Sequence, residues 1–164
     1  MPVVSNTSPV LNLAIIGQLS LLQQQFGEIW LPPAVISELR IDEDLPGVQA
    51  VREALAVGWM HIQAVEDVGL VEILRRDLDG GEAEAIALAI QLKAERILLD
   101  EKEGRRITAT LELRSTGVLG VLLRAKQEGH LPSVRETIEQ LQIQAGFRIG
   151  MELLSDILRE SGEL

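Results

Sequence analysis

Residues 81–101 read Gly81-Glu82-Ala83-Glu84-Ala85-Ile86-Ala87-Leu88-Ala89-Ile90-Gln91-Leu92-Lys93-Ala94-Glu95-Arg96-Ile97-Leu98-Leu99-Asp100-Glu101, and their pattern decides the fold. The alanine-rich half favours a long helix from Glu82 to about Lys93. The run Arg96-Ile97-Leu98-Leu99 then reads as a short buried strand that stops at the acidic pair Asp100-Glu101. Outward from this unit the alternation repeats. Upstream, Pro2 to Ser5 reads as a buried strand that stops at Asn6-Thr7-Ser8-Pro9, where Ser8 can cap a helix and Pro9 can open it. Two helical pieces follow, broken near Gly17, and Glu28-Ile29-Trp30-Leu31 reads as the second strand. Pro32-Pro33 opens a helix that carries Val35, Ile36 and Leu39 at helical spacing, with Glu38 riding on it. An acidic turn spans Asp42 to Gly47. A helix covers Val48 to Val57 and ends near Gly58, and Met60 to Ile62 is a weaker third strand. A helix from about Asp67 to Arg76 and the turn Asp79-Gly80-Gly81 lead back into the opening stretch. Downstream come a helix over 102–111, a strand at Leu113 to Thr116, a helix over 118–128 and two C-terminal helices at about 133–144 and 150–160. Such alternation predicts an α/β fold with parallel strands joined by crossover helices. With no linker, repeat or low-complexity segment, residues 1–164 are expected to form a single domain.

Composition narrows the function. The chain is 46% hydrophobic, which argues for a packed globule rather than disorder. Aromatic residues make up only 2% and tyrosine is absent, so Leu, Ile, Val and Ala must build the core, and few rings remain for stacking on bases. A net charge of −10 disfavours binding nucleic acid by broad phosphate neutralisation; phosphate chemistry would need metal ions or a local basic patch. The absence of cysteine excludes disulfides, thiolate catalysis and cysteine-held zinc. His61 and His130 are too few for a histidine-rich metal centre and receive no catalytic role. No signal-like segment and no apolar run long enough to span a bilayer is found, which predicts a cytoplasmic protein.

In an open α/β sheet, sites form at the carboxyl ends of the strands. That rule selects Asn6 after the first strand, Asp100 and Glu101 after the fourth, Ser115 and Thr116 at the fifth, Glu82 at the start of a helix and Glu38 within one. Oxygen side chains brought together from separate segments suit a hard cation such as Mg²⁺ or Mn²⁺, which could activate water for attack on a phosphodiester. Helix geometry favours Glu82 over Glu84. Glu82 shares a face with Ile86 and Ala89, whereas Glu84 lies about 200° round the helix and reads as a supporting or surface residue. Each candidate also has a plainer reading. Asp79-Gly80-Gly81-Glu82 equally fits a capping box, Glu38 on spacing alone fits a solvated helix residue, and Asp100 fits a cap for the following helix. Glu101 reads as an exposed first-turn acid. Arg105 and Arg106 could bind phosphate, although an ion pair between Arg105 and Glu101 at offset four is the expected role of Arg105.

Four segments in order resemble the PIN-domain family: Val3-Val4-Ser5-Asn6-Thr7-Ser8-Pro9, Pro32-Pro33-Ala34-Val35-Ile36-Ser37-Glu38-Leu39, Gly81-Glu82-Ala83-Glu84-Ala85-Ile86-Ala87-Leu88-Ala89 and Leu98-Leu99-Asp100-Glu101. The resemblance spans nearly the whole chain and is strongest to a prokaryotic PIN-like branch with the Thr-Ser-Pro start and a glycine-punctuated segment like Thr116 to Leu123. It implies a three-layer α/β/α sandwich around a mainly parallel sheet. Many members are Mg²⁺- or Mn²⁺-dependent ribonucleases, including the VapC toxins of toxin–antitoxin pairs. By resemblance Glu38, Glu82 and Asp100 take the family's second, third and fourth acidic positions. Thr7 and Ser8 match its polar residues after the first strand, where a hydroxyl can help order water, and Thr116 matches a further polar position.

The departure is Asn6, where the family pattern has an aspartate. An amide oxygen can coordinate a cation but brings no charge, so the attraction for a divalent ion is weaker. The resemblance therefore implies an endoribonuclease with Asn6, Glu38, Glu82 and Asp100 as metal ligands and Ser8 beside them. The alternative is a catalytically impaired PIN-like module that binds RNA or a protein. A small antitoxin protein and a second copy of the chain are the implied protein partners, and RNA would approach through metal ions and arginines such as Arg105, Arg106 or Arg114. A phosphoacceptor receiver domain would need an acidic pair after the first strand and a lysine after the last, and the chain supplies neither. The apolar residues of the C-terminal helices, among them Phe147, Ile149, Leu153, Leu154, Ile157 and Leu158, are expected to pack on their own domain.

Overall fold

Val3 and Val4 are fully buried on opposite faces of one strand, the behaviour of a strand covered on both sides by helices. A computed structural model describes residues 2–164. Its elements run β1 (Val3–Ser5), α1 (Thr7–Ile15), α2 (Ser20–Phe26), β2 (Ile29–Leu31), α3 (Pro33–Leu39), α4 (Val48–Val57), β3 (Met60–Ile62) and α5 (Val68–Leu74). They continue with α6 (Gly80–Gln91), β4 (Arg96–Leu98), α7 (Lys102–Thr110), β5 (Ser115–Thr116), α8 (Val118–Gln127), α9 (Val134–Gln144) and α10 (Met151–Ser161). The sheet order is β3-β2-β1-β4-β5 and every pairing is parallel. The fold is thus the predicted α/β/α sandwich.

Side chains alternate across the sheet with the period of two that strands impose. Val3, Ile29, Leu31 and Leu98 face one apolar layer, built from α1 to α4 and α8 to α10. Val4, Trp30 and Ile97 face the other, built chiefly from α5, α6 and α7. Chain order reverses beside β1, since β2 lies on one side of it and β4 on the other. A crevice therefore opens at the carboxyl ends of β1 and β4. Leu98 accepts the Asn6 N–H at 2.9 Å, which carries the β1–β4 pairing up to Asn6 itself.

Two expectations at element ends are corrected. Ser8 does not cap α1 and Pro9 does not open it; Asn6 is the residue before the helix, in extended conformation, and Thr7 begins it. Pro9 is accommodated because the first turn of a helix has amides with no partner inside the helix, so its missing N–H costs nothing there. The strand expected over Leu113 to Thr116 shrinks to Ser115–Thr116. Leu113 instead closes the end of α7, its N–H donating to Thr108 at 2.9 Å. At the C-terminus Ile157 and Leu158 are buried, Phe147, Ile149 and Leu154 pack against the core, and Met151 and Leu153 are exposed. Among the described residues no helix is long and apolar enough to cross a membrane.

Candidate active site

Asn6, Glu38, Glu82, Asp100 and Glu101 come from four separate stretches of sequence and border the same crevice. Asn6 is 2% exposed and directly follows β1. Its amide Nδ2 donates to Glu101 Oε2 at 3.2 Å, and Ser8 Oγ donates to Glu101 Oε1 at 2.8 Å. Thr7 Oγ1 donates to Glu38 Oε2 at 3.2 Å. The turn from β1 into α1 therefore holds two glutamates through the side chains of three consecutive residues.

Glycines make room for the predicted acids. Gly81 sits where α6 passes α3, and a Cβ there would lie 2.8 Å from Glu38 Cδ. A Cβ at Gly104 would lie 2.8 Å from Glu82 Oε2, and one at Gly117 would lie 2.6 Å from Asp100 Oδ1. Glu38, Glu82 and Asp100 thus each occupy the space that a side chain on a neighbouring element would fill.

One half of the expected capping box is present at Glu82. Asp79 caps α6, its side chain accepting the Glu82 N–H at 2.8 Å, as a capping box requires. Glu82 nevertheless is only 6% exposed, and Ile86 and Ala89 on its face are fully buried. Glu84 points elsewhere and accepts the Ala34 N–H at 2.9 Å, so it closes the N-terminus of α3. Asp100 caps a helix, though not the one that follows it: its Oδ1 accepts the Val118 N–H at 2.8 Å, the first amide of α8. Thr116 Oγ1 receives Arg96 Nη1 at 2.5 Å, which ties β5 to β4.

Glu101 is not the exposed first-turn acid that the sequence suggests. It precedes α7 in extended backbone, so it and Asp100 project to opposite sides. Asp100 reaches toward β5 and α8, and Glu101 reaches back to β1. The signal was present, since a helix starting at Lys102 leaves both acids outside it. The Glu101–Arg105 ion pair is likewise absent; Arg105 lies instead by Gly117, its Nη1 3.2 Å from the position of a Cβ there, and by Asp100.

Electrostatics bind these groups into one cluster. Burial is the first cause that raises the Glu38 carboxyl above its ordinary range; Asp79, Glu101 and Glu84 add to it, and the Thr7 hydrogen bond opposes it. Burial, then Asp79 and Glu101, push Glu82 up to about 8. Burial pushes Asp100 up to about 6, against the Val118 amide and Arg105. Among the described residues, four buried side-chain oxygens lack a hydrogen-bond partner, and three of them are Asn6 Oδ1, Glu82 Oε2 and Asp100 Oδ2. A buried oxygen without a partner costs about 1–3 kcal/mol, and more when charged, and the three residues that carry these acceptors all neighbour Glu101. Their chemistry suits a hard divalent cation. No group of three or more His, Asp or Glu side chains among the described residues is arranged to hold one metal ion.

A parallel sheet whose reversal point carries buried acids defines an α/β domain with an anionic cleft. The particular family follows from comparison: a family model described as a PIN domain matches residues 2–163, and the chain belongs to the PIN-domain family, whose function is of nuclease type. No curated protein and no solved structure matches the chain.

Proposed function

We propose that the chain is a metal-dependent endoribonuclease that hydrolyses RNA phosphodiester bonds, with Asn6, Glu38, Glu82 and Asp100 offering oxygen atoms to Mg²⁺ or Mn²⁺. The observation that carries this reading is the group of buried acceptors without partners at Asn6, Glu82 and Asp100. A bound divalent cation would lower the pKa of water and offset negative charge on the phosphodiester. The residues contribute the rest. Asp100 and Glu82 are held at the cleft by the fold of β4 and the first turn of α6. Thr7 and Ser8 steer Glu38 and Glu101 by donating to them.

Glu101 supplies the charge that Asn6 lacks. An aspartate at position 6 would set two carboxylates at the 3.2 Å separation of the present hydrogen bond, and like charges that close disfavour ionisation of both. Asn6 and Glu101 are in this reading a matched pair. The same family reading extends to one domain over 1–164, a cytoplasmic setting, a homodimer and a small antitoxin protein as partner.

A second reading is favoured by Asn6 itself: a PIN-like module that binds RNA or protein without cutting. Cleavage of a mixed RNA pool with Mn²⁺ distinguishes the two. Cleavage by the native chain that stops in Asp100→Asn supports the nuclease, cleavage only after Asn6→Asp identifies the native chain as a binder, and cleavage by neither sinks the enzymatic reading.

A further inference from the structure

α3 starts without a cap of its own. The first amides of any helix lack partners inside it, and Pro32, the residue before α3, provides no side-chain cap. Pro33 carries no N–H, and the amides of Val35 and Ile36 turn back to the Pro32 carbonyl at 3.1 and 3.2 Å. Ala34 is left, and its N–H donates to Glu84 Oε1 at 2.9 Å, across 50 positions of sequence. The cap of α3 is thus supplied by α6.

The contact has a second point. Ala34 and Glu38 share a face of α3 at offset four, and Gly81 and Glu84 share a face of α6 at offset three. Glu84 meets Ala34 while Gly81 meets Glu38, so the two helices pass in opposite directions. Their register is marked by one hydrogen bond and by one glycine whose missing side chain leaves room for Glu38. Apolar packing does not mark it: Val35, Ile36 and Leu39 of α3 join the layer on one face of the sheet, whereas the buried apolar residues of α6 join the layer on the other. With seven residues, α3 is too short to hold itself as a helix and depends on its contacts. Glu38 depends on α3 in turn. Its side chain is exposed and, among the described residues, takes one side-chain hydrogen bond, from Thr7 at 3.2 Å.

We propose that Glu84 is a positioning residue: by capping α3 from α6 it fixes the register in which Glu38 lies over Gly81 at the cleft, without itself touching metal or substrate. A helix held at one end only by an acceptor on its neighbour shifts when that acceptor is removed, and Glu38, four residues along the same face, shifts with it. The effect on metal affinity rests on the proposed ligand role of Glu38, whereas the hold of Glu84 on α3 does not.

The test compares Glu84→Ala, which removes the acceptor, with Glu84→Gln, which keeps an oxygen for the Ala34 N–H and discards the charge; circular dichroism checks that each is folded. Calorimetric titration with Mn²⁺ and hydrogen exchange of the α3 amides in metal-free protein are measured on both. Glu84→Ala is expected to lower Mn²⁺ affinity about 10- to 100-fold, the usual cost of losing a group that orients a ligand, and Glu84→Gln to retain most of it. In a Glu38→Ala background Glu84→Ala should add nothing, because residues that act through one contact are not additive. A merely structural role would leave the affinity of the folded protein unmoved. The amides of Ala34 to Leu39 should exchange faster in Glu84→Ala but not in Glu84→Gln, with β1 and β4 still protected. Unchanged affinity in folded Glu84→Ala, an equal loss with Glu38→Ala present, or a Glu84→Gln that behaves like Glu84→Ala overturns the proposal. Failure of the nuclease reading shows differently: the native chain binds no Mn²⁺ or leaves RNA uncut. Exchange in α3 then decides, and α3 amides that exchange alike in the native chain and both variants overturn the proposal.

Discussion

Glu163 lays its carboxylate on the first turn of α9, and Glu82 stands in the first turn of α6, yet the first carboxyl is driven down to about 2 and the second up to about 8. Burial opposes ionisation at both. Around Glu163 it is outweighed, because Val134 N–H at 2.7 Å, Ser133 Oγ at 2.8 Å and Arg135 N–H at 3.1 Å all donate to that carboxylate. Around Glu82 the neighbours are Asp79 and Glu101, and Oε2 accepts nothing. Position at a helix start does not decide the fate of a carboxylate; the supply of donors does. The molecule satisfies its acid where the C-terminal segment is stitched to the domain and leaves it unsatisfied in the cleft.

The largest break in this comparison is expected in catalysis. Under the nuclease reading, Asp100→Asn or removal of divalent ions by EDTA lowers cleavage of RNA at least ~100-fold, since several kcal/mol of charge stabilisation is lost. Gel analysis of product release with time checks it.

The next effect is on stability and has opposite signs at the two glutamates. A raised carboxyl such as Glu82 contributes stability that is complete below its ordinary pKa of 4.5 and is lost as pH rises toward about 8. Metal-free protein should therefore weaken between those limits, and Glu82→Gln should stabilise it by about 1–3 kcal/mol at pH 7.5 and flatten the profile. Denaturant titration across pH measures both, and a native profile without that decline would contradict the burial of Glu82. Glu163 is the reverse case, with stability present above 4.5 and lost as pH falls toward about 2. Glu163→Ala should cost about 1–3 kcal/mol at neutral pH, with the difference from the native chain shrinking in acid.

The smallest and most selective change is Gly81→Ala. A Cβ there meets the Glu38 side chain, whose flexible end can move aside. Stability should shift by less than about 1 kcal/mol, because alanine also favours the helix, while Mn²⁺ affinity falls about tenfold under the proposed ligand assignment. Calorimetric titration separates the two quantities.

Much of the fold was legible because local chemistry and global topology agree. The alanine-rich helix, the apolar strands and the Pro33 start of α3 each follow from composition and spacing. The facing of Glu82 was legible from helical angles, and Ile86 and Ala89 are buried as that argument required. Glu101 and Arg105 were misplaced for one reason. Offset-four pairing assumes both residues already belong to the helix, whereas Glu101 is still extended and finds Asn6 and Ser8 across the crevice. Contacts across 95 and 93 positions of sequence leave no local trace. Asp100 shows the same limit, since a cap was foreseeable but its choice of α8 depends on where β5 lies. Arg105 was legible as a possible phosphate contact, but the cavity that it lines together with Arg148 is assembled from segments far apart in sequence.

The β1–β4 pairing joins Ser5 to Leu98, so half of the cleft belongs to the start of the chain and half to its later part. During synthesis, which proceeds from the N-terminus, Asn6 and Ser8 leave the ribosome long before Asp100 and Glu101 exist to meet them. A partly made chain cannot carry the anionic cleft, and whatever chemistry that cleft performs is withheld from the translation machinery until the central crossover has been completed.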